Sequence, residues 1–206
     1  MNDIQGSYAT VAADYHELLK DNLQENPYDR AALDLFASLV PEGPVGDLGC
    51  GPGRITAYLA SLGLDAFGID LSPEMVGLAR ATYPSLRFEV GTLFDLDLED
   101  TELAGALAWY SLVHTPPEDL PAVFAELSRV IAAGGYLLHA FKVGSGIHHL
   151  DHAYGHEVDL DVYWYDPADI TDLLTEAGFA QVAMLTHAPL EHEKQPQAYV
   201  LVRKPV

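Results

Sequence analysis

Apolar residues recur along this chain with two different periods, and the change from one to the other divides it. Through residues 7–40 the spacing is helical: Val11, Tyr15, Leu18 and Leu19 share one face, then Leu33, Phe36 and Val40 share another, with a break near Asn26-Pro27. After Pro41-Glu42-Gly43-Pro44 short apolar runs take over at 45–48, 65–69, 86–90, 104–109 and 135–142, each the length of a strand. Amphipathic helices separate them. Ile55, Tyr58, Leu59 and Leu62 make a stripe that Gly63 can end. Ser72-Pro73 reads as an N-cap followed by proline at the first helical position. Leu120, Val123, Phe124, Leu127, Val130 and Ile131 form a third stripe, with Gly134-Gly135 as its expected stop. Strands alternating with helices predict an α/β fold, a mostly parallel sheet covered on both faces.

The last third is patterned differently. Residues 143–157 are rich in Gly and His and read as a loop. Val158, Leu160, Val162 and Trp164 then alternate with Asp159, Asp161, Tyr163 and Tyr165, the period of a half-buried strand. Asp166-Pro167 opens a helix with Ile170, Leu173, Leu174 and Ala177 inside and Gly178 at its end. Two late strands, 179–187 and 197–203, are joined by a polar stretch and are expected to pair antiparallel. No repeat is visible, and a single domain over 1–206 is expected.

Composition narrows the function. Acidic residues outnumber basic ones 31 to 10, for a formal net charge of −21. Such a surface repels polyanions, which argues against nucleic acid as substrate and against an anionic membrane as host. Cys50 is the single cysteine, so no internal disulfide forms. Met1-Asn2-Asp3-Ile4-Gln5-Gly6 lacks the basic and apolar regions of a signal peptide, and no apolar run reaches membrane-spanning length. A cytoplasmic location is the expectation.

The candidate chemistry begins at Val45-Gly46-Asp47-Leu48-Gly49-Cys50-Gly51-Pro52-Gly53, three alternate glycines between a strand and a helix. Such a turn lets a ligand approach the backbone. A dinucleotide fingerprint needs its third glycine at position 54, which is Arg54. Asp70, 17 residues after Gly53, ends the second predicted strand, where a carboxylate can accept from both hydroxyls of a ribose. The pattern indicates a nucleoside and no pyrophosphate cradle.

Asp47-Leu48-Gly49-Cys50-Gly51-Pro52-Gly53 together with Ile69-Asp70-Leu71-Ser72-Pro73-Glu74-Met75 resembles the first two motifs of the class I S-adenosylmethionine-dependent methyltransferases. The similarity continues through Phe88-Glu89-Val90-Gly91 and Pro117-Glu118-Asp119-Leu120 to Gly134-Gly135-Tyr136-Leu137-Leu138. It implies a Rossmann-like seven-stranded sheet whose last strand is antiparallel. It divides the chain into a helical cap (1–40), a cofactor-binding core (41–142), a substrate lid (143–165) and a C-terminal helix with a strand pair (166–206).

The resemblance also implies roles. Gly49, Cys50, Gly51 and Gly53 would carry the methionine moiety of S-adenosylmethionine, with Asp47 fixing the loop or meeting the amino group. Asp70 would hold the ribose. Leu71, Met75 and Leu93 would sandwich the adenine. Many relatives place an acid where this chain has Thr92, so a backbone carbonyl or Asp95 takes over the adenine amino group. Tyr110 and Ser111 would line the methyl-transfer side, and Tyr15 would close over the cofactor.

Methyl transfer rests mainly on alignment, worth up to ~7–11 kcal/mol. A base is needed only where the acceptor must lose a proton. His114, past the fourth strand, is the candidate base, or else a shaper of the pocket wall. His148-His149-x-x-His152-x-x-x-His156 invites a metal reading, but Gly144, Gly146 and Gly155 argue for a loop. The expectation there is no metal and a substrate lid, with Tyr154, Tyr163 and Tyr165 giving aromatic contact. The partner expected is a small-molecule acceptor. The base-amine methylase motif Asn/Asp-Pro-Pro-aromatic is missing from Trp109-Tyr110-Ser111-Leu112. The alternatives are a non-catalytic S-adenosylmethionine-binding protein and, disfavoured by Arg54, an NAD-dependent oxidoreductase.

Overall fold

The computed structural model describes residues 4–19, 22–191 and 193–206. The N-terminal helical stretch is divided into α1 (Ile4–Leu19), α2 (Asn22–Glu25) and α3 (Pro27–Leu39). The break at Asn26-Pro27 is a cap. The Asn26 side chain accepts from the N–H groups of Tyr28 and Asp29 at 3.0 and 3.2 Å, and Pro27 takes the first helical position, where no N–H is needed.

Strands β1 (Pro44–Leu48), β2 (Asp65–Asp70), β3 (Arg87–Val90), β4 (Leu103–Trp109) and β5 (Ile131–Lys142) are parallel, with β1 between β2 and β4. β8 (Ala180–His187) and β9 (Gln197–Arg203) complete the sheet, whose order is β3-β2-β1-β4-β5-β9-β8 among the described residues. β9 runs antiparallel to both its neighbours, as the resemblance implies. β4 is buried at every position, the continuous apolar run of a strand covered on both faces. On one face Leu33 and Phe36 of α3 and Ile55 and Leu59 of α4 (Arg54–Ser61) pack with Val45, Leu107 and Tyr199. On the other, Phe124 and Leu127 of α6 (Leu120–Val130) and Ile170 and Leu174 of α7 (Pro167–Glu176) pack with Ala106, Leu137 and Val200. α5 (Pro73–Thr82) starts as expected, Ser72 Oγ accepting from the Met75 N–H at 3.2 Å.

Two expectations are corrected. The helical stripe ends at Val130, not at Gly134, and β5 begins immediately at Ile131. The glycine pair lies inside the strand, beside a shift in the β4–β5 register, with Gly134 at φ +83°. Residues 143–157 are no loop: β6 (Ile147–Ala153) and β7 (His156–Tyr163) form an antiparallel hairpin. Its turn, Tyr154-Gly155, takes the two left-handed positions (φ +55° and +84°) that match the strand twist. β6 is exposed or half-exposed at every position, so no apolar alternation marked it. The hairpin and α5 both pack against α1.

Candidate functional site

The connection order reverses between β1 and β4, and in open α/β sheets ligands bind at the C-terminal ends of the strands at such a point. The loops after β1, β2, β3 and β4 converge there on one cavity. Gly49 forms its floor, pressed against the loop after β4. Its φ is +81°, and a Cβ on it would lie 2.2 Å from that of Ser111. The N–H groups of Gly49 and Cys50 both donate to the Ile69 carbonyl, at 2.7 and 3.0 Å. Asp70 completes this join. One carboxylate oxygen accepts from the Gly51 N–H at 2.7 Å and the other from Ser72 N–H at 2.9 Å. Each oxygen keeps a further lone pair, and Asp70 lines the cavity. Burial still raises its pKa above the usual carboxylate value.

Leu71 and Met75 from the loop after β2, and Thr92 and Leu93 from the loop after β3, give the cavity its apolar walls. Tyr110 and Ser111 line the opposite side with His114. Tyr110 sits at φ +54°, an uncommon conformation for a residue with a side chain. Behind it the Tyr199 hydroxyl lies 3.5 Å from that of Tyr110 and donates to Asp29 at 2.6 Å. Burial raises the Tyr110 pKa well above the ordinary phenol value, so it stays protonated and is no base. The Nδ1–H of His114 donates to the Asp161 carbonyl on β7 at 2.7 Å, since a carbonyl can only accept. That fixes the tautomer: the neutral ring carries its lone pair on Nε2. Burial lowers the His114 pKa, which keeps the ring neutral.

Asp47 and Cys50 line a smaller cavity that shares Gly49, Gly51 and Trp109 with the first. Asp47 is 1% exposed and accepts from the Thr56 hydroxyl at 2.6 Å. Burial pushes its pKa up to about 6, against the opposing pull of Thr56 and Arg54. Burial likewise keeps Cys50 a thiol, unsuited to attack.

Other expected site residues lie elsewhere. Gly53 is outside the cavity. It caps α4 at φ +82°, and a Cβ there would strike the Phe88 ring at 2.7 Å, so packing requires the glycine. Tyr165 is 4% exposed in the core, its hydroxyl donating to the carbonyls of Leu112 and Thr115 at 2.6 and 2.7 Å. Tyr163 packs half-buried on the same core, its N–H donating to the Val113 carbonyl, and Tyr154 stands at the hairpin turn. None of the three lines the cavity. The expectation gave Tyr163 and Tyr165 to substrate contact from a lid, but both dock the hairpin and its exit onto the β4 loop. The side chain of Tyr15 lies outside the described residues. Ile4, Ser72, Phe94, Trp109, Leu112 and Thr115 line the cavity without having been anticipated. Phe94 and Trp109 stand next in sequence to Leu93 and Tyr110, the one signal that pointed to them.

The core role of Tyr165 has a measurable consequence. Tyr165→Phe strands the Thr115 carbonyl, leaves that of Leu112 with the Thr115 N–H alone, and is expected to destabilise the fold by about 1–3 kcal/mol in urea denaturation. Ligand affinity of the residual folded protein stays within about twofold, well below the tenfold that 1.4 kcal/mol would give.

Residues 45–135 match the family model for a methyltransferase domain. The trans-aconitate 2-methyltransferase of Rhizobium meliloti (strain 1021) is 35% identical over 117 residues, covering 55% of this chain and 44% of the relative. The chain spans about half the length of the curated relatives it matches. Among solved structures, a SAM-dependent methyltransferase of Methanosarcina mazei superposes with TM-score 0.75 at 18% identity, over 84% of this chain and 97% of that one. The Burkholderia thailandensis 1,6-didemethyltoxoflavin-N1-methyltransferase, solved with its acceptor and S-adenosylhomocysteine, superposes with TM-score 0.70 at 22% identity, over 98% and 91%. These two likenesses concern the fold. Residues 45–135 thus match a methyltransferase domain, within a chain whose fold is shared with solved S-adenosylmethionine-dependent methyltransferases.

Proposed function

We propose that this protein transfers a methyl group from S-adenosylmethionine to a small, uncharged acceptor that loses a proton. The observation that carries the donor half is Asp70, held by Gly51 and Ser72 at the mouth of a cavity floored by Gly49. The residues present fit the donor. Leu71, Met75 and Leu93 offer a purine two apolar walls, and the remaining lone pairs of Asp70 can take ribose hydroxyls. When bound, the donor supplies an electrophilic methyl on a sulfonium, so the protein has mainly to align the acceptor. Tyr110, Ser111 and His114 stand on that side, and Nε2 of His114 is the acceptor for the departing proton.

The lining also bears on the acceptor. Among the described residues it contains no Lys or Arg, and its charged group is Asp70. The relative named for trans-aconitate acts on a polycarboxylate, a charge that nothing described in this cavity would balance. A phenol, thiol or similar neutral group on an apolar body suits the cavity better. Thermal denaturation tests the donor: S-adenosylhomocysteine at 100 times its dissociation constant stabilises by ~2.7 kcal/mol, and NAD does not. Transfer of radiolabelled methyl onto neutral phenols and thiols, with polycarboxylates alongside, tests the acceptor. Labelling confined to the polycarboxylates would sink this half of the proposal, and no labelling of any acceptor would favour a binding protein.

Asp47 gives donor binding a pH dependence. An ammonium beside it requires the ionised carboxylate, yet Asp47 holds a proton below about pH 6. Binding therefore releases a proton below that pH, and calorimetry should find affinity falling up to about tenfold per pH unit on the acid side. A flat affinity between pH 5 and 7 removes Asp47 from ammonium recognition.

A further inference from the structure

We infer that Asp29, Tyr199 and His187 hold one proton in common, and that this shared proton keeps Tyr110 in its place in the cavity wall. None of the three lines the cavity, so they are positioning residues that act through Tyr110. The inference rests on the reading of that cavity as a ligand site. Sheet geometry gathers the three. His187 ends β8 opposite Gln197 of β9, and Tyr199 lies two residues on from Gln197, so both side chains share the face that α3 covers. Asp29 comes from the first turn of α3, just after the Asn26 cap. Asp29, Tyr199 and His187 are 3%, 2% and 6% exposed, so surface water does not supply what they lack from one another.

Counting hydrogens calls for the extra proton. The Tyr199 hydroxyl has one hydrogen and two lone pairs. Three polar atoms approach it: Asp29 Oδ1 at 2.6 Å, His187 Nε2 at 3.2 Å and the Tyr110 hydroxyl at 3.5 Å. His187 Nδ1 lies 2.8 Å from the Ala188 carbonyl, which can only accept, so the Nδ1 hydrogen is spent there. An ionised Asp29 and a neutral His187 would then both need the single Tyr199 hydrogen. One further proton resolves this in either of two ways. On Nε2 it donates to Tyr199, whose own hydrogen goes to Asp29. On Asp29 it donates to Tyr199, whose hydrogen goes to Nε2. Both arrangements leave a Tyr199 lone pair for the Tyr110 hydroxyl. Without the proton a buried acceptor is left bare, which folded proteins avoid. The surroundings agree. Burial raises the Asp29 pKa, against the opposing pull of the Tyr199 hydrogen bond and of Arg54 on α4. The Glu193 carboxylate stands 3.8 Å from His187 Nδ1, and the Tyr28 ring stacks on the imidazole at 4.2 Å.

Tyr110 transmits the state of this cluster to the cavity. Its left-handed backbone, at φ +54°, is a conformation that persists only where neighbours enforce it. Its N–H is held by the Ala140 carbonyl at 3.0 Å, and its ring meets that of Trp109 edge-on. The hydroxyl end is held by Tyr199. A bare buried acceptor and a strained residue carry costs of the same order, so loss of the proton is enough to release the side chain.

Magnetic resonance on protein with isotope-labelled histidine, aspartate and tyrosine reads the proton directly, with H187Q, D29N and Y110F identifying the three signals. At neutral pH the pair holds one proton, as Nε2–H beside a carboxylate or as a carboxylic acid beside a lone pair. The Tyr110 signal shifts at the alkaline pH where that proton leaves. A neutral ring beside an ionised carboxylate at neutral pH, or a Tyr110 signal indifferent to the loss, overturns the inference. Titration calorimetry with S-adenosylhomocysteine reads the consequence. Wild-type affinity falls about 10-fold as the proton leaves, on the opposite side of neutrality from the Asp47 effect. D29N completes the cluster without an extra proton, because its amide N–H donates to Tyr199 and frees the Tyr199 hydrogen for Nε2. It keeps the neutral-pH affinity within about twofold and loses the alkaline fall. Y199F removes the tether, binds about 10-fold more weakly at every pH and lacks the fall as well. A merely structural Asp29 would weaken binding in D29N and leave the alkaline fall in place, which overturns the inference. Failure of wild type to bind S-adenosylhomocysteine at any pH overturns the donor reading, and the resonance result then decides the shared proton and its hold on Tyr110.

Discussion

Gly49→Ala is expected to abolish donor binding and to weaken the fold by about 2–5 kcal/mol, for two separable reasons. The first is conformational. At φ +81° an L residue costs about 1–2 kcal/mol. The second is steric. The new methyl would lie 2.2 Å from the Ser111 Cβ and 3.4 Å from its Cα, atoms that no rotamer change can move away. The loops after β1 and β4 must therefore part, typically at about 1–3 kcal/mol. Parting them disturbs the Gly49 and Cys50 N–H bonds to Ile69 and the Gly51 bond to Asp70, the join on which the cavity depends. Gly63→Ala is the control. It shares the left-handed backbone at φ +92° but has nothing within 4 Å of the added methyl, so it carries the first cost alone. Urea denaturation should separate the two variants by the steric share, and calorimetry should find S-adenosylhomocysteine binding lost only at Gly49. Equal effects at the two positions would mean that the close approach does not hold the site.

The same contrast explains which parts of the molecule the sequence disclosed. Strands buried on both faces, such as Leu103–Trp109, are written as unbroken apolar runs, and capped helices as Asn-Pro and Ser-Pro pairs. Both are local signals, and both read correctly. The β6–β7 hairpin lacks them because β6 carries polar residues on both faces and turns at Tyr-Gly instead of a strong turn pair. Gly134-Gly135 reads as a helix stop, yet the Ile131 pairing with Leu103 starts the strand earlier, a tertiary decision. Within the site, the glycine loop and Asp70 were legible because the backbone geometry they need is local. The roles of Gly53 and Tyr165 were not, since each depends on a neighbour distant in sequence: Phe88 for one, Leu112 for the other.

His114→Asn is expected to lower kcat by about 100- to 10,000-fold, the usual range for loss of a positioned base, and to leave donor affinity within about twofold. Asparagine suits the test because its amide N–H can replace Nδ1–H in the bond to the Asp161 carbonyl. The β4 loop then stays tied to the hairpin while the Nε2 lone pair is gone. Alanine would remove both and mix the two effects. The pH dependence adds an independent readout. Burial lowers the His114 pKa below its ordinary 6.5, so the basic, neutral form already predominates at and above that pH. At saturating donor, kcat for an acceptor that must lose a proton should therefore be level through neutrality and fall only below about pH 6.5, as the imidazole takes up its proton. Saturation separates this limb from the Asp47 proton, which acts on donor affinity. In His114→Asn the acid limb should flatten along with the loss of rate. A variant that keeps wild-type kcat, or keeps the limb unchanged, reduces His114 to a wall of the pocket and leaves alignment as the whole of catalysis.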